Sequence, residues 1–147
     1  MYKMVTRLMK GLGVISSVLL LMLTLDSCSA GQGVGLAATA VQDFRTKYND
    51  EQYQEIYKHS DDSFKKTAPE AEVVDFFSKL REKLGKAGNA NHINQSVNVS
   101  SMGTMVSMVY DTEFTKGKGQ ERFVFIIKDG VAKLIDYKVD SPLLITQ

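Results

Sequence analysis

The sequence predicts a single α+β domain, in which about three N-terminal helices pack on a four-stranded antiparallel meander. Two observations carry this prediction: apolar residues recur at helical spacing over residues 36–84, and at a spacing of two over residues 92–140. Helices followed by strands are typical of the α+β class. The length of 147 residues fits one domain. We expect the helices to cover one face of the sheet, but the pattern does not say which, because both faces of the third strand are apolar.

Three helices are predicted from apolar stripes within residues 37–48, 53–64 and 67–84. The third helix has the clearest bounds. Thr67 and Glu70 are spaced as in a capping box. Gly85 follows the last apolar residue, and glycine is the usual residue just beyond a helix end.

Four strands are predicted at residues 92–100, 104–115, 121–128 and 131–140. The third strand is nearly all apolar, which favours a central position in the sheet. The residues at 116–119 are interpreted as a flexible hairpin turn, and Asp129-Gly130 as a tight two-residue turn. The fourth strand is expected to place one apolar set on a common face: Val131, Ile135, Tyr137 and Val139.

The composition excludes several classes of protein. The net charge is +1, without the concentrated basic surface that nucleic-acid binding needs. A single cysteine excludes an intrachain disulfide and a multi-thiolate metal site. No histidine or carboxylate spacing indicates zinc or calcium, so no metal and no cofactor is predicted.

The first residues have the pattern of an export signal. Lys3, Arg7 and Lys10 precede residues 11–25, a run without any charged residue, and a basic segment before an apolar one is typical of a signal peptide. As a helix this run would be about 22 Å long, whereas the hydrocarbon core of a bilayer is about 30 Å thick. The length therefore favours an export signal over a transmembrane helix.

The end of this run, Leu25-Asp26-Ser27-Cys28, resembles the lipobox of bacterial lipoproteins. In that motif Leu stands three positions before an obligatory Cys, and a small residue stands directly before it. Asp26 departs from the pattern, which has an uncharged residue at that position. The resemblance implies cleavage between Ser27 and Cys28 and attachment of lipid to Cys28. Two or more acyl chains anchor a protein stably in a membrane.

The resemblance also implies a location in the bacterial cell envelope, held by membrane lipid through Cys28. Ser29 after the Cys favours the outer membrane if the host has two membranes. The alternative is ordinary cleavage after Ala30, which would release a soluble protein. Lipidation predicts a signal peptide at 1–27, the lipidated Cys with a flexible glycine-rich tether at 28–35, and one domain at 36–147.

The order of elements resembles small cystatin-like and nuclear-transport-factor-2-like domains over about residues 36–140. The likeness is closest to uncharacterised bacterial envelope families, through the aromatic-rich segment Tyr48–Tyr57, the segment Ser60–Phe64 and the helix end Leu80–Gly85. It implies a curved sheet and helices that enclose a cone-shaped cavity. It implies no single activity, because that fold carries enzymes, binding modules and dimerisation domains.

No catalytic constellation is found, so no catalytic residue is predicted. Aromatic side chains are the candidates for a ligand pocket or a protein interface, since tyrosine joins an apolar ring to a polar end. The candidate pocket residues are Tyr53, Tyr57, Phe77, Tyr110 and Tyr137. Ordinary core packing is the alternative interpretation of all five.

Two functions remain open. The first is a non-enzymatic envelope lipoprotein of unknown specific role that binds a small apolar ligand or another envelope protein. The second is a small isomerase-like enzyme acting on an apolar molecule, which would need a carboxylate inside the cavity with a raised pKa. A homodimer formed through an exposed face of the sheet is a further alternative.

Overall fold

The described part of the chain runs through helices first and strands second. The computed structural model describes residues 28–145. Four helices, α1 to α4, precede the sheet, and one short helix, α5, follows it: Cys28–Asn49, Tyr53–His59, Asp62–Lys65, Glu70–Leu84 and Pro142–Ile145. The strands β1 to β4 are Ala87–Ser100, Gly103–Phe114, Gly117–Lys128 and Val131–Asp140. They form one antiparallel sheet in the order β1-β2-β3-β4, which confirms the α+β class and the four-stranded meander.

The core lies between the helices and one face of the two inner strands. Alternate residues of a strand share a face, and in β2 and β3 one alternating set is buried while the other is more exposed. The buried set includes Val106, Met108, Tyr110, Phe114, Phe123 and Phe125. The helices bury Val41, Phe44, Tyr48, Phe77 and Leu84 in the same core.

A β-bulge decides which residues of β4 face this core. The register of β4 against β3 shifts at Ile135, the extra residue on the bulged strand. Because one extra residue reverses the side-chain alternation, Leu134 is buried whereas Val131 is 51% exposed. The prediction that Val131 shares a face with the buried Val139 is therefore wrong.

The first helix begins earlier than its apolar stripe indicates. Residues 28–35, expected to be a flexible tether, belong to α1. Gly33 is buried, and a Cβ atom added there would lie 3.6 to 3.7 Å from side chains of Thr104, Val106 and Ile127. Glycine disfavours a helix by about 1 kcal/mol, but contacts with the rest of the fold contribute more to helix stability than propensity does.

The sequence predicted the C-terminal end of α4 correctly but not the capping of its N-terminal end. The capping box does not form, because Pro69 occupies the N-cap position and the Thr67 hydroxyl donates to the carbonyl oxygen of Phe64 at 2.6 Å. Gly85 ends the helix as predicted, with φ of +81°. A side chain at Gly85 would also overlap the Thr115 hydroxyl.

The two turns that the sequence predicts also differ from each other. Asp129 and Gly130 have φ values of +51° and +73°, as expected of the predicted two-residue hairpin turn. The other turn is shorter than predicted, since β3 already begins at Gly117. A Cβ atom at Gly117 would lie 2.6 Å from Leu143 Cδ1 in α5, so glycine there permits close packing rather than flexibility.

Candidate functional site

An apolar groove lies between the loop and helix of residues 64–77 and strand β4. Its volume is about 380 Å³. We call it the α4–β4 groove, and its wall consists of Phe64, Thr67, Ala68, Glu72, Val73, Phe76, Phe77, Ile135, Asp136 and Tyr137. Three phenylalanines and one tyrosine are among these residues; Phe76 is 46% exposed, whereas Phe77 is buried beneath the surface of the groove. An apolar depression with few polar groups is the usual form of a small-molecule site.

The structure brings two of the five candidate pocket residues into this groove, Phe77 and Tyr137. A third, Tyr57, does not line the groove; its hydroxyl lies 3.4 Å from the carbonyl oxygens of both Lys65 and Ala68 and shares its one proton between them. These bonds hold the segment between α3 and α4 that forms one side of the groove.

The other two candidates do not line the α4–β4 groove. Tyr53 is buried and stacks on Phe77 with ring centroids 6.1 Å apart. Tyr110 is buried beside His92, with ring centroids 5.1 Å apart. Burial raises the pKa of both tyrosine hydroxyls above the ordinary value.

The wall formed by Tyr137 is held by other aromatic rings. Its ring centroid lies 4.8 Å from that of Phe44, 5.0 Å from that of Phe123 and 5.7 Å from that of Phe77. Such pairs contribute about 0.5–1.5 kcal/mol each beyond the area they bury. The base of the groove is therefore preformed rather than assembled by a ligand.

A buried polar cluster lies behind Tyr137. Glu121 is 1% exposed, and its Oε1 atom accepts a hydrogen bond from the Tyr137 hydroxyl at 2.8 Å. Its Oε2 atom accepts from Arg45 Nη2 at 2.8 Å and from the Thr112 hydroxyl at 2.6 Å. We call these four residues the Glu121 cluster. Both carboxylate oxygens have partners, as a buried charge requires.

The Arg45 guanidinium has aromatic neighbours as well as the carboxylate. Its Cζ atom lies 4.7 Å from the ring centroid of Tyr110 and 5.8 Å from that of Phe123. An arginine at this distance over a ring is stabilised by the charge distribution of the ring. This contact compensates in part for the buried Arg45 Nε, which has no hydrogen-bond partner among the described residues.

The Glu121 cluster is a buried ion pair in which both carboxylate oxygens already accept hydrogen bonds. Burial, and then the charge of Glu121, raise the pKa of Tyr137 well above its ordinary value, so its hydroxyl stays protonated and acts as a donor. Glu121 does not line the α4–β4 groove. The arrangement can hold the ring of Tyr137 in place, but it presents no carboxylate oxygen to a molecule in the groove.

Sequence reasoning missed Arg45, Thr112 and Glu121. A signal was present for the two strand residues, because Glu121 alternates with Phe123 and Phe125 and therefore falls on the buried face. Polar residues at buried positions of an alternating pattern point to a hydrogen-bonded partner across the core. The partner itself, Arg45, is 76 positions away in the chain and could not be assigned without the fold.

A larger depression, of about 640 Å³, lies at the other end of the sheet. Its lining combines charged residues, among them Asp111, Glu113 and Asp140, with apolar surface that includes Ala90 and Pro142. These acids have partners: Gln120 donates to Asp111 at 3.1 Å, and lysines lie 3.5 Å from Glu113 and 3.1 Å from Asp140.

The predicted signal peptide and the residue before the predicted cleavage site, Ser27, lie outside the described residues. Cys28 is the first described residue, at the start of α1.

Among residues 28–145, no group of three or more His, Cys, Asp or Glu side chains could hold a metal ion. No helix in this range is both long enough and apolar enough to cross a membrane.

No family model matches this chain, and no curated protein matches it.

Proposed function

We propose that this chain is a lipid-anchored protein of the bacterial cell envelope, whose α+β domain binds a small apolar ligand in the α4–β4 groove. The single observation that carries the binding role is the groove itself. The exposed Phe76 would lose water on binding an apolar molecule, which favours association, and the aromatic base beneath it is already packed. The anchoring role is supported by the motif Leu25-Asp26-Ser27-Cys28 at the end of the apolar run.

We also propose that the domain is of the cystatin-like or nuclear-transport-factor-2-like type. Helices before the sheet, a meander in the order β1-β2-β3-β4 and bulges in the strand pairing support this assignment. Bulges increase the twist and bend of a sheet, and a bent sheet under helices leaves space of the kind that the α4–β4 groove occupies.

The proposed role is binding rather than catalysis. An isomerase would need a carboxylate that is free to take a proton from a bound molecule. Of the two carboxylates in the groove wall, Asp136 accepts from Arg122 at 2.9 Å, and Glu72 is exposed to water. Glu121 is buried behind the groove, and its oxygens accept hydrogen bonds from Arg45, Thr112 and Tyr137. This favours a positioning role for Glu121 behind the groove.

Anchoring is tested by the intact mass of the protein extracted from its native membrane. We expect the mass of residues 28–147 plus a glycerol group with two or three acyl chains. Cys28→Ser should move the protein out of the membrane fraction. An unmodified mass that begins near Gly31, or equal fractionation of variant and wild type, would contradict the anchor.

Ligand binding is tested with N-phenyl-1-naphthylamine, a neutral apolar dye whose fluorescence rises in apolar surroundings. A neutral dye is needed because Glu72 and Asp136 stand at the groove. We expect Phe76→Glu to weaken binding at least about tenfold. The matched control is Ile93→Glu, since Ile93 is exposed to a similar extent outside the groove. Equal effects of the two substitutions would contradict binding in the groove.

A further inference from the structure

The end of the sheet that carries the β1–β2 and β3–β4 hairpins exposes large apolar side chains. Met102 is 72% exposed and Val99 is 69% exposed in the β1–β2 hairpin. Val131, directly after the β3–β4 turn, is also exposed. Because β2 pairs with β3 so that Thr104 stands opposite Ile127, both hairpins lie at the same end. We call Val99, Met102 and Val131 the hairpin patch.

The β1–β2 hairpin lacks charged side chains over most of its length, including its tip. Between Lys86 and Asp111 the sequence contains no Asp, Glu, Lys or Arg. The other edge strand, β4, carries Lys133, Asp136, Lys138 and Asp140. Moving a charge out of water costs far more than moving a neutral group, so the tip of the β1–β2 hairpin can enter an apolar environment, whereas β4 from Lys133 onwards cannot.

Polar groups at the tip of this hairpin are bonded within the hairpin. The Ser100 hydroxyl donates to the carbonyl oxygen of Gly103 at 3.2 Å and accepts from the backbone N–H of Met102 at 3.3 Å. The strands on either side are paired with each other up to Ser100 and Gly103. Groups that already have partners lose little when water is removed.

Chain length limits how far residue 28 can lie from this end of the sheet. Gly33 packs against side chains of Thr104, Val106 and Ile127, and Thr104 is the second residue of β2. Cys28 precedes Gly33 by five residues. Five residues span at most about 18 Å even when they are fully extended. A lipid on Cys28 therefore keeps the hairpin end within reach of the membrane, whatever the orientation of the domain.

We propose that the hairpin patch contacts the phospholipid surface in which the Cys28 lipid is inserted. This inference rests on the proposed lipid anchor. Val99 and Met102 enter the boundary between head groups and acyl chains, where apolar side chains leave water. Val131 lies beside them, with the charged Lys128 and Asp129 of its hairpin at the level of the head groups. The contact fixes the orientation of the domain on the membrane, which an acyl anchor at Cys28 would not do by itself.

The test uses the absence of tryptophan from the chain. Met102→Trp places a single indole in the hairpin patch. Lys118→Trp is the matched control, because Lys118 has a side chain 83% exposed and lies ten residues before Lys128 on β3, about 33 Å along the strand. The lipidated, processed protein is reconstituted in vesicles of phosphatidylethanolamine and phosphatidylglycerol. Quenching is measured with phospholipids brominated on their acyl chains.

We expect the indole at position 102 to shift its emission to shorter wavelength and to be quenched several-fold more than the indole at 118. Vesicle flotation with equal quenching at both positions would overturn the contact while leaving the anchor intact. A protein without acyl chains that does not float would overturn both proposals. A shift at 102 that depends on protein concentration and persists without vesicles would indicate pairing of two copies and would also overturn the lipid contact.

Discussion

Arg45 of α1 and Glu121 of β3 form a salt bridge inside the core, with 2.8 Å between Nη2 and Oε2 and with both side chains buried. The pair joins the first long helix to an inner strand of the sheet. Each charge loses its hydration on folding, so each depends on the other and on the hydroxyls of Thr112 and Tyr137. The pair therefore fixes where α1 lies on the sheet.

Removing both members of this pair should cost less free energy of unfolding than the two single removals added together. Arg45→Met leaves the Glu121 carboxylate buried without a counter-charge, and we expect a loss of about 3–5 kcal/mol in the free energy of unfolding. Arg45→Met combined with Glu121→Leu should lose less than the sum of the two single changes. Urea denaturation of the three variants measures this, and simple additivity would contradict the buried pairing.

Tyr137→Phe separates the two roles of Tyr137. The change removes the donor to Glu121 Oε1 but keeps the ring that lines the groove. We expect a loss of about 1–3 kcal/mol in the free energy of unfolding, because a buried acceptor is left unpaired. Binding of N-phenyl-1-naphthylamine should stay within about twofold of wild type. A large loss of dye affinity without a loss of stability would show that the hydroxyl takes part in binding.

Asp61 should make the free energy of unfolding depend on pH in the acid range. The backbone N–H of Ser63 donates to its carboxylate at 3.0 Å and the Lys128 ammonium lies 2.9 Å away, and together they lower the pKa of Asp61 from 3.8 to about 2. Because the folded pKa is the lower one, the stabilisation is present above about pH 4 and is lost as the pH falls towards 2. Asp61→Asn should flatten this part of the stability–pH profile.

The neighbouring Asp62→Asn is the control for Asp61. The side chain of Asp62 is exposed and its ion pair with Lys65 spans 3.7 Å, so its removal should leave the profile nearly unchanged. An equal flattening by both substitutions, measured by chemical denaturation at several pH values, would contradict a specific role for Asp61.

Glycine substitutions test whether α1 extends through residues 32–35. Gly33→Ala should raise the free energy of unfolding by about 1 kcal/mol, because alanine is the better helix former and a Cβ atom there meets only ordinary contacts. Gly35→Ala, where the added atom meets nothing within 4 Å, should give a similar gain. No gain at either position would indicate the flexible tether instead.

Gly88→Ala should lower the free energy of unfolding, in contrast to the glycine substitutions in α1. In β1 the added Cβ atom would lie 2.8 Å from the carbonyl oxygen of Glu113, and backbone can move little inside a sheet. We expect this variant to be less stable than wild type in the same urea titrations. Stability equal to wild type would mean that the start of β1 pairs less closely with β2 than the register indicates.

Local patterns were sufficient for most of the secondary structure. The Asp129-Gly130 turn, the bounds of β4 and the end of α4 at Gly85 follow from conformational preferences of a few neighbouring residues. The alternation in β2 also separated its buried face from its exposed face. These features depend on residues close together in the chain, so a short stretch of sequence is enough to predict them.

Other features of the fold and of the groove depend on tertiary structure. The bulge at Ile135 exposes Val131, the packing of Gly33 on the sheet draws residues 32–35 into a helix, and Glu121 receives a partner 76 positions away. The wall of the α4–β4 groove likewise combines Phe76 with Tyr137, which lie on different elements. Each of these depends on the register and placement of elements distant in the chain, because side-chain periodicity specifies which face of an element is apolar but not what that face meets.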